Sequence, residues 1–147
     1  MSIVDASKAL FTHCSEQRVA FYDVDSMDVV WHGNYCKYLE VARCAMLDAL
    51  GFNYHSMRDH ALLFPIVDMR LRYMKPALFD ETIFLSTHLI EWEYRMKIGY
   101  EIFNAKKELL TEAYTIQAAV DANTRELIIG TPTGLEKAMQ KVLSEQG

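Results

Sequence analysis

The sequence predicts an α+β fold in which one curved antiparallel sheet wraps around a single long central helix. Three observations lead to this prediction: an alternating strand comes first, a long amphipathic helix follows, and four or five more alternating segments come after it. The helix carries an apolar stripe that is too wide to remain exposed, so the sheet is expected to cover it.

The first strand is predicted over residues 16–25, where alternation places Asp23 and Asp25 on one face. The helix is predicted over residues 34–50, and Gly51 is a natural stop for it. Its apolar positions follow three-and-four spacing: Tyr35, Tyr38, Leu39, Ala42, Ala45, Met46, Ala49 and Leu50. The polar residues Lys37, Glu40, Arg43 and Asp48 lie largely elsewhere on the helix.

A short helical turn is expected over residues 53–60, and the chain then becomes a set of strands. These strands are predicted over residues 67–73, 82–90, 95–103, 109–120 and 126–129, with turns around Pro76, 104–107 and 121–124. A C-terminal helix is predicted over residues 134–143, with Leu135, Ala138, Met139 and Val142 on its apolar side.

Length and composition predict one globular domain over residues 1–147. The net charge of -5, without a cluster of basic residues, argues against nucleic acid as the main partner. No segment resembles a membrane span, and the N-terminus lacks a basic segment followed by an apolar run, so a cytoplasmic location is expected. Three cysteines without CxxC spacing argue against a disulfide framework or a cysteine zinc site.

Residues 21–40 join a strand that ends in carboxylates to the start of the long helix. Asp25 is expected at the strand exit, while His32, Gly33 and Asn34 supply the first N–H groups of the helix. Those groups have no acceptor inside the helix and can face an anion. A carboxylate beside such an anion site suggests acyl chemistry.

The segment YDVDSMDVVWHGNYCKYLEVAR resembles the signature of the hotdog acyl-CoA thioesterases of the 4-hydroxybenzoyl-CoA thioesterase type, which include the Tol-Pal-associated thioesterases. That signature has an aromatic residue, D-x-D, a short loop, V-x-(H/Y/F)-x-x-Y and a helix with Y/F-x-E-x-A-R. Later matches, RYMKPALFDE and IEWEYR, extend the resemblance over nearly the whole chain. The resemblance implies the hotdog fold and hydrolysis of a CoA thioester without a metal or redox cofactor.

The resemblance assigns the catalytic carboxylate to Asp25, as general base or as nucleophile, and the polarising backbone amide to His32. A single donor to an oxyanion contributes about 3–4 kcal/mol where its removal has been measured. The His32 imidazole is a separate question, because the family tolerates other side chains there.

Two positions depart from the family pattern. Asp28 stands where many members have glycine, and Asp is one of the few other residues that tolerate a positive φ. Phe21 stands where some relatives have tyrosine, so any contribution from that hydroxyl is missing. Both changes leave the mechanism possible and the substrate open.

Other candidate residues also suit a purely structural role. Asp23 suits turn capping, Trp31 suits either an acyl pocket or a buried anchor, and Glu40 suits either a polar site role or hydrogen bonding to a loop or neighbouring subunit. Gly33 and Tyr35 are further substrate-binding candidates, although Tyr35, like Tyr38, also suits packing. The histidines His13, His55, His60 and His88 show no metal-ligand spacing.

The CoA phosphates require cations, and the candidates are Arg72, Lys75, Arg95 and Lys97, with exposed strand positions as the alternative explanation. The acyl group would be lined by Tyr54, Met57, Leu62 and Phe64.

The resemblance also implies a homodimer, or a tetramer built from two dimers, because hotdog monomers leave a sheet edge for a second copy. The alternative to the enzyme is a non-catalytic module that binds acyl-CoA or acyl carriers. A hotdog dehydratase or hydratase is less favoured, because its acid/base pair is not evident.

Overall fold

The computed structural model describes residues 2–146 and contains one five-stranded antiparallel sheet with a long helix against it. In chain order the elements are β1 (Phe11–Arg18), α1 (Tyr35–Leu50), α2 (Tyr54–Asp59), β2 (Leu62–Leu63), β3 (Ile66–Tyr73), β4 (Thr82–Glu91), β5 (Met96–Phe103), β6 (Leu109–Gln117), β7 (Val120–Asp121) and α3 (Thr133–Gln146). The sheet order is β1-β4-β5-β6-β3, so β1 and β3 are its edge strands, and β2 pairs with β7 in a separate ribbon.

Helix α1 ends as its sequence predicts. Gly51 adopts a φ of 90°, and its N–H donates to the carbonyls of Leu47 and Asp48 at 3.0 and 3.1 Å. Only glycine adopts this left-handed conformation without steric cost, so the helix stops here.

The buried face of α1 differs from the prediction at three positions. Leu47 and the charged Arg43 are buried, whereas Ala49 is exposed. The buried stripe is therefore rotated slightly toward positions 43 and 47 relative to the predicted one.

The core lies between α1 and the inner face of the sheet. Alternate residues of the central strands β4 and β5 are at most 2% exposed and share one apolar cluster with α1: Ile83, Leu85, Leu89, Met96, Ile98, Tyr100 and Ile102. The alternation predicted for β5 is thus confirmed. Each such aliphatic side chain stabilises the fold by about 1.5–3 kcal/mol through burial.

The prediction for the first strand is wrong at both ends: only residues 16–18 of the predicted 16–25 lie in β1, which begins at Phe11. Strand β1 ends at Arg18, and a single turn of 3₁₀ helix occupies Phe21–Asp23. The chain leaves the sheet at Val19, whose N–H donates to Glu81 O at 2.9 Å instead of continuing the β1–β4 ladder. Asp23 and Asp25 are consequently held by turns and not by one face of a strand.

Two further strand predictions need correction. The strand expected over residues 109–120 ends at Gln117, and the chain then turns so that β7 pairs with β2. Residues 126–129 form an isolated bridge, Val120 to Leu127, rather than a strand. The C-terminal helix is confirmed, is longer than predicted, and buries all four of its expected apolar residues. Within residues 2–146, no helix has the length and hydrophobicity to cross a membrane.

Truncating the helix core should weaken the fold. We expect Leu47→Ala to lower the free energy of unfolding by about 2–5 kcal/mol, because Leu47 is 0% exposed and its removal leaves a cavity. The matched control is Val41→Ala on the same helix, which is 55% exposed and should change stability little. Chemical denaturation measures both, and equal effects would contradict this assignment of the buried face.

Candidate active site

Asp23 is a buried carboxylate in the turn that precedes the predicted catalytic residue Asp25. It is 1% exposed and accepts hydrogen bonds from the Ala20 N–H at 3.0 Å, from the Tyr38 hydroxyl at 2.8 Å and from Lys37 Nζ, with which it forms an ion pair. Burial alone would raise the pKa of Asp23, but these donors outweigh it and hold the pKa below its ordinary value. Asp23 therefore joins the end of β1 to helix α1.

The main chain of Asp23 continues this connection toward the start of the helix. Its carbonyl accepts from the Trp31 N–H at 3.0 Å and from Asn34 Nδ2 at 2.7 Å. The turn of 3₁₀ helix at His32–Asn34, which leads directly into α1, is thereby held against the Asp23 turn.

Asp25 lies in a tight turn between Val24 and Val30, which form an isolated antiparallel bridge. The Asp25 N–H donates to Val29 O at 2.9 Å, and the Asp25 carboxylate accepts the Met27 N–H at 2.8 Å. Asp28 completes the turn with a φ of 61°, the left-handed conformation expected where relatives have glycine. The carboxylate is thus oriented and remains partly open to solvent.

The start of the helix presents free backbone donors. In the described part of the chain, the N–H groups of His32 and Gly33 donate to no acceptor, whereas the His32 carbonyl accepts from the Tyr73 hydroxyl at 3.1 Å. Such unpaired donors at a helix N-terminus favour anions.

Trp31 is 52% exposed, which excludes the buried-anchor alternative. Its ring lies over Gly33, where an added Cβ would come within 2.3 Å of the ring, and 5.1 Å from the His32 ring. Glycine at position 33 therefore leaves the space that the Trp31 ring occupies.

Asp25 and His32 line the same cavity, which has a volume of about 340 Å³. This Asp25 cavity is lined by Asp25, Val29, Val30, His32, Tyr35, Tyr73, Met74, Lys75 and Pro76. Four of the residues singled out from the sequence are thereby brought together. Tyr35 is only 2% exposed, and its ring packs edge-on against Tyr73, so it forms the floor between helix and sheet.

The four cations chosen for CoA phosphates do not form one cluster. Lys75 lines the Asp25 cavity and pairs with Glu108. Arg72 forms an ion pair with the buried Glu112 at 3.5 Å, and Arg95 one with Glu91 at 3.2 Å. Lys97 lies over the Tyr114 ring and lines a different cavity. Phosphate binding by this set stays a prediction.

A buried polar network was missed by the sequence reasoning. Arg43 is 3% exposed and donates to the hydroxyls of Tyr54 at 2.9 Å and Tyr100 at 3.4 Å. It also pairs at 3.3 Å with Glu40, whose side chain is 68% exposed. Glu40 therefore contacts Arg43 of its own helix and does not line the Asp25 cavity. The E-x-x-R spacing, which places both side chains on one helix face, was the available signal.

The four residues expected to line an acyl pocket share one cavity, but it is not the Asp25 cavity. This α2 cavity has a volume of about 470 Å³ and is lined by Tyr54, Met57, Arg58, Leu62, Leu63, Phe64, Pro65, Val120 and Arg125. It opens between α2 and the β2–β7 ribbon.

A family model described as the thioesterase-like superfamily matches residues 19–146. This chain belongs to that superfamily. The provisionally named acyl-CoA thioesterase YneP of Bacillus subtilis is 34% identical over 107 residues, which covers 72% of this chain and 78% of YneP. The acyl-CoA thioester hydrolase YbgC of Escherichia coli O6:H1 is 29% identical over 105 residues, which covers 71% of this chain and 78% of YbgC.

Solved structures agree with this assignment. A DHNA-CoA thioesterase from Staphylococcus aureus superposes with a TM-score of 0.79 at 28% identity, and the match covers 92% of this chain and 93% of that one. The predicted hotdog fold is confirmed. The predicted class, an enzyme of the thioesterase type, is confirmed with it.

Neutralising Asp23 should weaken the thioesterase fold in a pH-dependent way. The folded-state pKa of Asp23 lies below its ordinary value of 3.8, so its stabilisation is present above that value and is lost as pH falls through the folded pKa. We expect Asp23→Asn to lower the free energy of unfolding at pH 7 by about 2–3 kcal/mol and to make the loss of stability below pH 3.8 shallower. Urea denaturation at several pH values measures this.

Asp48→Asn is the control for Asp23→Asn, because Asp48 is exposed on α1. It should leave stability at pH 7 within experimental error of the wild type. A wild-type acid response in Asp23→Asn would show that Asp23 is not the titrating group.

Proposed function

We propose that this protein hydrolyses acyl-CoA thioesters to a free acid and CoA. Asp25 supplies the catalytic carboxylate, and the His32 backbone N–H polarises the thioester carbonyl. The observation that carries the proposal is that Asp25 and His32 line one cavity at the start of α1, where the His32 and Gly33 N–H groups have no acceptor within residues 2–146. Lys75, which lines the same cavity, is the best placed of the four cations for a CoA phosphate.

In the general-base route, Asp25 takes a proton from water, and the water oxygen bonds to the thioester carbon. The carbonyl oxygen becomes an oxyanion, which the His32 N–H and the helix N-terminus stabilise. The C–S bond then breaks, the acid is released, and the proton held by Asp25 passes to the departing CoA thiolate. The Met27 N–H keeps the carboxylate oriented during this step.

In the nucleophilic route, an Asp25 oxygen attacks the thioester carbon directly and CoA leaves as a thiolate. Water then hydrolyses the mixed anhydride and regenerates Asp25. Borohydride added during turnover separates the routes, because it would reduce an Asp25 anhydride to homoserine, which peptide mass spectrometry detects.

Removing the Asp25 charge should abolish turnover without unfolding the protein. We expect Asp25→Asn to lower kcat by about 10²–10⁴-fold, the range contributed by a positioned base. The assay is release of free thiol from short, long and aromatic acyl-CoAs. Asp23→Asn is the matched comparison: it should lose stability first, whereas Asp25→Asn should keep the wild-type melting temperature.

Two outcomes of that assay would contradict the proposal. If the wild type released no thiol above background from any acyl-CoA, the proposed thioesterase activity would be refuted. Binding of acyl-CoA without turnover would favour the non-catalytic module. An Asp25→Asn variant as fast as the wild type would show that the carboxylate is wrongly chosen.

We also propose that the protein is a homodimer in which the β3 strands of two copies pair antiparallel. Strand β3 is an edge of the sheet, and three of its apolar side chains, Ile66, Val67 and Met69, are 40–62% exposed. An edge strand with unpaired backbone groups and exposed apolar side chains favours pairing with a strand of another chain. Antiparallel pairing would place the start of one β3, beside the α2 cavity, next to the end of the other, beside the Asp25 cavity.

A charge on this edge should dissociate the dimer. We expect Met69→Lys to shift the protein toward monomer in light scattering coupled to gel filtration, because the two-fold axis brings the two lysines close together. Tyr94→Lys is the control, since Tyr94 is an exposed apolar residue away from β3. A monomeric wild type, or an undisturbed dimer in Met69→Lys, would refute pairing through β3.

We propose the cytoplasm as the location. Cys14 and Cys36 are exposed free thiols, and Cys44 is a half-buried one, a state that reducing compartments maintain. Labelling of unpermeabilised cells with a thiol reagent that cannot cross the membrane should leave them unmodified.

A further inference from the structure

The α2 cavity has the features of a ligand site in its own right. Its volume of about 470 Å³ lies within the range of small-molecule pockets. We infer that it binds an amphipathic anion, a flexible apolar chain that ends in a carboxylate.

The walls of the cavity suit an apolar chain. Met57, Leu62 and Phe64 are 2–8% exposed and belong to the main core cluster, so this wall is preformed. Phe64 is held in place through its carbonyl, which accepts a hydrogen bond from Gln117 Nε2 at 2.8 Å. A chain that enters the cavity meets packed hydrophobic side chains, which favour its removal from water.

Two arginines, Arg58 and Arg125, line the cavity without forming an ion pair in the described chain. Among the residues described, neither the Arg58 nor the Arg125 guanidinium has a carboxylate oxygen within 4.0 Å. Asp121, close to Arg125 in sequence, directs its carboxylate instead to the N–H groups of Asn123 and Thr124 at 2.8 and 3.0 Å. Arginine is well suited to a carboxylate because its planar fork donates two parallel hydrogen bonds.

A third polar group lies on the cavity wall. The Tyr54 hydroxyl accepts a hydrogen bond from the buried Arg43 at 2.9 Å, and in the described chain it donates to no acceptor. The guanidinium polarises this hydroxyl, so its hydrogen is a strong donor to an anionic oxygen. The lining therefore combines apolar side chains with two guanidinium groups and one hydroxyl donor, which suits an apolar chain with one anionic end.

A ligand of this kind need not be the thioester. The acid that thioester hydrolysis releases has this chemistry, so the cavity offers a place where product is retained or sensed. The inference extends beyond the proposed function and can be tested without turnover.

Isothermal titration with octanoate below its micellar concentration tests the binding. We expect saturable binding to the wild type, with octanol, which lacks the charge, and acetate, which lacks the chain, each bound at least about tenfold more weakly. Arg58→Gln/Arg125→Gln should lose the preference for octanoate over octanol. Both arginines are exposed, so this double variant should keep the wild-type melting temperature.

The matched control is Lys106→Gln/Lys137→Gln, which removes two positive charges from exposed positions that lie neither in the cavity nor on β3. It should bind octanoate as the wild type does. Three outcomes would overturn the inference: no saturable binding of octanoate, equal binding of octanoate and octanol, or full binding by the variant lacking Arg58 and Arg125. Displacement of octanoate by free CoA only when both arginines are present would also overturn it, because phosphate would then be the preferred anion.

Discussion

The geometry of the site depends on one buried ion pair, between Asp23 and Lys37. A carboxylate that is 1% exposed is costly unless donors surround it, and here three side-chain and main-chain donors do so. Because the same residue accepts two more hydrogen bonds through its carbonyl, one position determines where β1 ends and where the 3₁₀ turn before α1 lies. The neighbouring carboxylate of Asp25 is left free of strong partners and open to a ligand.

The two aspartates of the D-x-D pair therefore divide into opposite environments. Asp23 is surrounded by donors and is held ionised by them, whereas the Asp25 carboxylate accepts a hydrogen bond from one backbone N–H, that of Met27. A carboxylate that already accepts three strong hydrogen bonds is a poor base, because its lone pairs are engaged. The assignment of structure to the first aspartate and chemistry to the second thus has a physical reason apart from family resemblance.

Much of the fold could be predicted from periodicity. The span of α1, the Gly51 stop, the alternation of β5 and the C-terminal helix all depend on local patterns that tertiary contacts reinforce. The end of β1 could not be predicted, because residues 19–25 keep alternating, while Val19 bonds to Asp80 and Glu81 and Asp23 bonds to Lys37 and Tyr38 of α1. Arg43 was misplaced for a related reason: a charged residue is assigned to solvent unless its buried phenol partners, distant in sequence, are known.

The backbone of Asp28 has a consequence for the motion of the site. Glycine at a left-handed position leaves the unfolded chain with more conformations to lose, while an aspartate that adopts the same φ has fewer. The turn that carries Asp25 therefore loses less conformational entropy on folding than a glycine turn would, which favours the folded turn that orients the Asp25 carboxylate. Motion at the site is then expected from the other segment that lines the cavity, residues 74–76 after β3, and mobility measurements on that segment would test for a rate-limiting opening step.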